Sequence, residues 1–104
     1  MSNKYGARRT YSLLCERWFD SRAEAKRGEE LRLLEMAGEI SDLRYQVRFV
    51  LSASPKVAIT IDFSYLDETG ERVFEDVKGI LTRDFRTKMT WLKEKLGIEV
   101  KLVK

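Results

Sequence analysis

Three charged side chains, placed near the ends of two neighbouring strands, could support metal-dependent chemistry. Asp62 interrupts an apolar run, and Asp76 and Lys78 close the next apolar run within the segment EDVKG. Alternate residues of a strand face the same side of a sheet. Asp76 and Lys78 should therefore point together, with Glu75 and Val77 on the other face. An Asp opposite an Asp-x-Lys segment predicts a divalent cation beside an ammonium group.

This pattern suits phosphodiester hydrolysis, which needs a hard cation to polarise the phosphate and prepare a water molecule. Magnesium or manganese would bind through the carboxylates of Asp62 and Asp76, because such ions prefer oxygen ligands. Lys78 could hold the attacking water or stabilise charge that develops on the phosphate. Arg83 and Arg86 follow the segment and could bind phosphates. A charged hairpin held by a simple salt bridge has the same pattern.

A third acid, Glu24, has two interpretations. Glu24 shares a helical stripe with the apolar Leu31, seven residues later. Its carboxylate could therefore face the sheet and join Asp62 and Asp76. However, Ser21-x-x-Glu24 also matches a capping box, in which the Glu side chain stabilises the first helical turn. The spacing supports both interpretations.

The elements that would position these residues follow from apolar periodicity and turn residues. They predict one α/β domain over residues 1–104, in which a mixed sheet is covered by two helices. A central hairpin, residues 56–79, turns at Gly70, and Trp18 and Phe19 of a short first strand should enter the core. The predicted helices span residues 21–37 and 82–96, and the remaining strands span residues 13–19, 39–51 and 98–103.

The composition is that of a soluble domain with one hydrophobic core, since 43% of the 104 residues are apolar and 36% are charged. The absence of His excludes imidazole catalysis and zinc sites of the His/Cys type. The single Cys15 cannot form an internal disulfide, which fits a reducing compartment. No segment matches a membrane span or a signal peptide. We therefore expect a cytoplasmic protein without a membrane partner.

Charge is distributed unevenly along the chain. Residues 1–20 carry a net charge of +2, residues 21–77 carry −4, and residues 78–104 carry +5. Basic ends around an acidic middle suit a metal pocket flanked by phosphate-binding surfaces, although an ordinary solvated surface has similar statistics. Residues 1–12 form a predicted basic arm, in which Lys4, Arg8 and Arg9 could neutralise nucleic-acid phosphates. A frayed terminus is the alternative.

The whole arrangement resembles the PD-(D/E)XK nuclease superfamily. Within it, the chain looks most like small phage and prophage proteins with the pieces FDSxxEAxR, a Gln in the next strand, ADF and EDVKG. More distantly, it is similar to phage Holliday-junction resolvases and transposon-end endonucleases. Ile61 stands where the superfamily name has Pro. The pieces that carry the resemblance are Phe19 to Arg27, Gln46, Ile61-Asp62-Phe63 and Glu75 to Gly79.

The resemblance implies a restriction-endonuclease-like αβββαβ core and a function. Glu24, Asp62 and Asp76 would be the metal-side carboxylates, Lys78 the catalytic lysine, and Gln46 a polar group at the pocket edge. The expected activity is a magnesium-dependent endonuclease acting on branched DNA, encoded by a phage and located in the cytoplasm of a bacterial host. Paired cuts across a junction need two pockets, so we expect a homodimer. The alternative is a non-catalytic nucleic-acid or protein-binding module that retains the fold.

Overall fold

The computed structural model describes residues 8–104, which form two helices and six strands. Lys4 lies outside the described residues. Helix α1 begins directly after Ser21, whose side chain accepts a hydrogen bond from the third helical N–H, and α2 begins in the same way after Thr82. The elements are β1 (Thr10–Ser12), β2 (Arg17–Phe19), α1 (Arg22–Met36), β3 (Ser41–Ala53), β4 (Lys56–Leu66), β5 (Arg72–Val77), α2 (Arg83–Leu96) and β6 (Val100–Val103).

The main sheet has the strand order β3-β4-β5-β6. Strands β3, β4 and β5 are antiparallel neighbours, whereas β6 returns through α2 and lies parallel to β5. The predicted α/β class and mixed sheet are therefore confirmed, and the β4–β5 hairpin lies at the centre of the sheet. The last strand begins at Val100 and not at residue 98, so it is two residues shorter than predicted.

A separate two-stranded sheet precedes α1, and the predicted strand over residues 13–19 was wrong in its first half, because residues 13–16 form the turn between β1 and β2. In it, Tyr11 of β1 lies opposite Trp18 of β2. The predicted arm of residues 1–12 was therefore too long, because residues 10–12 are a strand. The prediction that Trp18 enters the core was wrong, since 55% of it is exposed, whereas Phe19 is 3% exposed. Adjacent strand residues face opposite sides, so only one of the two aromatics could be buried.

Two apolar clusters hold the helices to the sheet. The first joins α1 to the end of β4, and Phe19, Leu31 and Phe63 lie at its centre. The second joins α2 to the beginning of β4 through Leu92, Ile59 and Ile61. Leu51 of β3 completes its buried centre. The candidate acids of β4 and β5 lie where these clusters meet. None of the helices in residues 8–104 is long and apolar enough to cross a membrane.

A glycine sets how closely α1 approaches the sheet. A Cβ atom built on Gly28 would lie 2.7 Å from Phe19 Cζ and 3.3 Å from Phe63 Cε1. Both rings are buried and pack against each other, with centroids 6.1 Å apart. Only a residue without a side chain therefore allows this contact. The close approach brings Glu24, one turn earlier on α1, towards β4 and β5.

Candidate functional site

Asp62 and Asp76 meet where the ladder between β4 and β5 ends. Phe63 and Glu75 form the last backbone pair. Beyond it, the amide of Asp62 donates to Oδ1 of Asp76 at 3.0 Å, and the amide of Val77 donates to Oδ2 of Asp62 at 2.9 Å. Each carboxylate thus accepts a backbone amide of the opposite strand. The two strands separate here, and the two acids share one small region.

Lys78 extends over the same region. Its Nζ lies 3.1 Å from Oδ2 of Asp76 and 3.9 Å from the ring centroid of Phe85. Its amide donates to the carbonyl of Val103 at 3.0 Å, which fixes the backbone next to β6. The Lys78 side chain is 30% exposed, whereas that of Asp76 is 1% exposed. The ammonium group therefore lies between a buried carboxylate and solvent, where a substrate phosphate could reach it.

Oδ2 of Asp76 is a buried oxygen whose partner in the structure is the Lys78 ammonium group, 3.1 Å away. A buried carboxylate oxygen is costly and needs a positive partner. Lys78 supplies part of this charge from one side. A divalent cation bound next to Lys78 would compensate the charge of the same oxygen further.

Glu24 faces these acids while its helix is capped by Ser21. Ser21 Oγ accepts from the Glu24 amide at 3.1 Å, as a capping box requires. The Glu24 carboxylate, however, accepts from the Asp20 amide at 3.1 Å and from Nε2 of Gln46 at 2.9 Å. Both interpretations of Glu24 therefore hold in part. One oxygen stabilises the chain before the helix, and the other belongs to the site.

Gln46 joins Glu24 to Asp62. It lies on β3 between the pairs Tyr45–Phe63 and Val47–Ile61, and thus across from Asp62. Its Nε2 lies 3.4 Å from Oδ1 of Asp62. The φ angle of Gln46 is 52°, which is rare for a side-chain-bearing residue within a strand and costs about 1–3 kcal/mol. Such strain often occurs at functional sites.

Burial and mutual repulsion raise the pKa values of all three acids. Burial, followed by the charge of Glu24, raises the pKa of Asp62 to about 7. Burial, followed by the charge of Asp62, raises the pKa of Asp76 to about 6. Burial also raises the pKa of Glu24. The positive charge of Lys78 therefore does not balance the three acids, and a divalent cation would favour the ionised form of every acid.

The donor set fits an ion held by few protein ligands. Within residues 8–104, no group of three or more His, Cys, Asp or Glu side chains is placed to hold a metal together. Magnesium commonly uses one or two carboxylates and completes its shell with water and substrate oxygens. Asp62 and Asp76 match this requirement. Glu24, whose carboxyl group lies next to that of Asp62 and shares the Gln46 amide with it, would contribute directly or through water.

The predicted phosphate-binding residues lie apart from this centre. Arg83 and Arg86 are exposed in the first turn and a half of α2, shortly after Lys78. Arg8 and Arg9 are exposed next to β1. All four arginines are thus at the surface, two before β1 and two on α2.

One group that sequence reasoning missed lies beside Asp76. Glu75 is fully buried, and Arg27 binds it through two hydrogen bonds of 2.8 and 2.9 Å. The Tyr65 hydroxyl also donates to Glu75. Although burial acts in the opposite direction, Arg27 and Tyr65 hold the pKa of Glu75 below its ordinary value. The spacing of Arg27, three residues after Glu24, was the available signal, because both share a helical face.

The chain belongs to a family described as "Protein of unknown function (DUF1064)", whose family model matches residues 2–103. No curated protein and no solved structure matches the chain significantly. The family description names no reaction, ligand or partner.

Proposed function

We propose that this protein is a magnesium- or manganese-dependent DNA endonuclease that acts on branched DNA as a homodimer. The observation that carries the proposal is the convergence of Asp62, Asp76 and Lys78 at the separated ends of β4 and β5. The resemblance of the same segments to the PD-(D/E)XK nucleases supports it. So does the burial of the Asp76 carboxylate, which is 1% exposed and has the Lys78 ammonium group beside it.

The proposed roles follow from position and charge. Asp62 and Asp76 would hold the cation, which when bound supplies a polarised phosphate and a more acidic water molecule. Lys78 would donate hydrogen bonds to the attacked phosphate, because its ammonium group lies at the solvent side of Asp76. Gln46 would hold the carboxylates of Glu24 and Asp62 at a fixed separation, because its amide group contacts both.

The exposed arginines support DNA as the substrate, the resemblance implies that the DNA is branched, and the number of pockets supports a homodimer. Arg83 and Arg86 on one flank, and Arg8 and Arg9 on the other, would contact the DNA backbone, so binding should weaken steeply with salt. One pocket cuts one strand at a time, and a two-fold dimer would place two pockets on a junction. If sedimentation shows a strict monomer, and linear and branched DNA are cleaved equally, the resolvase-like interpretation is wrong and the protein is a simple nickase. Action in the cytoplasm of a bacterial host belongs to the same proposal.

The test is cleavage of linear, nicked and four-way-junction DNA with magnesium, manganese or EDTA. Lys78→Met keeps the side-chain stem over Phe85 but removes the charge, and we expect at least about 100-fold less cleavage. Lys56→Met is the matched control, because Lys56 is an exposed lysine six residues before Asp62 on the same strand. Equal activity of the two variants would contradict the role of Lys78, provided that circular dichroism shows both to be folded.

One observation favours the alternative, a binding module that keeps the fold without catalysis. Each of the two central acids already accepts a backbone hydrogen bond, so both also act as structural groups at the end of the ladder. A module of this kind would bind DNA equally well with EDTA or magnesium and would cleave none of the substrates. Magnesium-dependent cleavage that is lost in Lys78→Met would exclude it.

A further inference from the structure

A surface outside the acidic site combines aromatic rings with a guanidinium group. It lies on the outer face of the β1–β2 hairpin and consists of Arg9, Tyr11 and Trp18, which we call the outer hairpin face. Tyr11 is 45% exposed and Trp18 is 55% exposed. Their rings form an edge-to-face pair with centroids 5.3 Å apart, and Cζ of Arg9 lies 5.3 Å from the Trp18 ring centroid.

The positions of the Tyr11 and Trp18 side chains are set by the strand pairing of the hairpin, and neither side chain packs into the core. Tyr11 and Trp18 are directly opposite in the register of the hairpin. Their neighbours Ser12 and Phe19 point inward, where they are 1% and 3% exposed. A Trp and a Tyr that stay solvent-exposed while the adjacent residues anchor the hairpin are not needed for the core. Such rings are typical of surfaces that bind a partner.

The hairpin leads directly into the acidic site. Phe19, the last residue of β2, packs against Tyr45 and Phe63, with ring centroids 5.9 and 6.1 Å away. The next residue, Asp20, donates its amide to the Glu24 carboxylate. Asp20 is two positions after Trp18, a distance of about 7 Å along an extended chain. A ligand on the outer hairpin face would therefore end close to Glu24.

We propose that the outer hairpin face is a stacking platform for unpaired nucleotides of a DNA strand that enters the acidic site. Exposed aromatic rings stack on bases of any sequence, while nearby arginines neutralise phosphates. Arg9 and the exposed Arg8 supply that positive charge at the start of β1. The assignment to DNA rests on the proposed function. Within it, the platform specifies the substrate as DNA with unpaired bases near the cleavage point, and not a continuous duplex.

The test measures binding without catalysis. Fluorescence anisotropy of labelled (dT)12, a duplex of equal length and (rU)12 is recorded in EDTA at low salt. Trp18→Ala should bind (dT)12 about 5- to 150-fold more weakly, the loss expected for one stacked base. Trp18→Phe should restore most of the binding. Trp91→Ala is the matched control, because Trp91 is the other Trp of the chain, 37% exposed on α2, and it should bind as the wild type does.

Each outcome decides one claim. Equal binding of (dT)12 by Trp18→Ala and wild type, or an equal loss in Trp91→Ala, would overturn the platform. Stronger binding of the duplex than of (dT)12, or tight binding of (rU)12 alone, would overturn the assignment to unpaired DNA. Binding is measured without divalent ions, so its result does not depend on catalysis. A protein that binds (dT)12 through Trp18 but cleaves no DNA when magnesium or manganese is supplied would support the platform and contradict the nuclease. Cleavage that is independent of Trp18 would contradict only the platform.

Discussion

Asp62→Asn should stabilise the protein at neutral and alkaline pH in the absence of divalent ions. Asp62 lies next to Glu24 and Asp76, and its pKa is raised to about 7 by burial and by the charge of Glu24. The folded state therefore retains a proton that the unfolded chain releases near the ordinary value of 3.8. Between these two pH values the folded state binds more protons, so its stability falls as the pH rises. Asn keeps an oxygen that can accept from the Val77 amide but carries no charge.

The magnitude follows from that difference in pKa. A difference of about three pKa units corresponds to about 4 kcal/mol of lost stability above pH 7, at 1.36 kcal/mol per unit. Glu24 interacts with Asp62 and shares the titration, so we expect a gain of about 2–4 kcal/mol in the variant. For a domain of this size, the melting temperature should rise by at least about 8 °C at pH 8 and change little at pH 4.

Thermal unfolding followed by circular dichroism, from pH 4 to pH 8 and with or without magnesium, measures this effect. Saturating magnesium at about 100 times its dissociation constant should stabilise the wild type by about 2.7 kcal/mol and the variant far less. Asp84→Asn is the control, because Asp84 lies on α2 and its side chain is 79% exposed. A variant that is no more stable than the wild type at pH 8, with the same magnesium response, would refute the electrostatic argument.

Two further predictions concern the contacts that hold α1 to the sheet. Arg27→Met should lower the free energy of unfolding by about 3–5 kcal/mol, because it leaves the fully buried Glu75 without its cation. Arg32→Met, which removes a partly exposed ion pair on the same helix, should cost at most about 1 kcal/mol in the same urea titration, and equal losses would contradict this account. Gly28→Ala should cost about 1–2 kcal/mol despite the better helix propensity of Ala, because its Cβ would overlap a buried ring. Gly79→Ala, where the new atom meets nothing within 4 Å, should leave the melting temperature unchanged, and a stable Gly28→Ala variant would show that the rings can move.

The hairpin and the grouping of Asp76 with Lys78 could be predicted from the sequence because they follow from local rules. A turn at Gly70 sets the hairpin, and the two-residue period of a strand puts Asp76 and Lys78 on one side. The helices were predicted to within one residue at each end, since Ser21 and Thr82 are recognisable caps. These features depend on neighbours in the chain.

The remaining features depend on contacts between distant segments. Periodicity in a three-residue strand cannot decide which of Trp18 and Phe19 faces the core, and that choice is made by packing against Tyr45 and Phe63. The left-handed backbone of Gln46 has no sequence signal, because Gly, Asn and Asp are the residues that normally indicate it. The binding of Arg27 to Glu75 joins positions 48 residues apart.

The last prediction couples the acids to Arg27. Repulsion among Glu24, Asp62 and Asp76 pushes α1 away from the sheet, whereas the bond between Arg27 and Glu75 opposes it one turn along the same helix. In the Arg27→Met background α1 can move outward and relieve the repulsion. Asp62→Asn should therefore stabilise that background less than it stabilises the wild type, by about 0.5–3 kcal/mol. Urea unfolding of the four proteins at pH 8 in EDTA measures the difference. Additivity within about 0.5 kcal/mol would mean that Arg27 only stabilises the fold and does not hold the acids together.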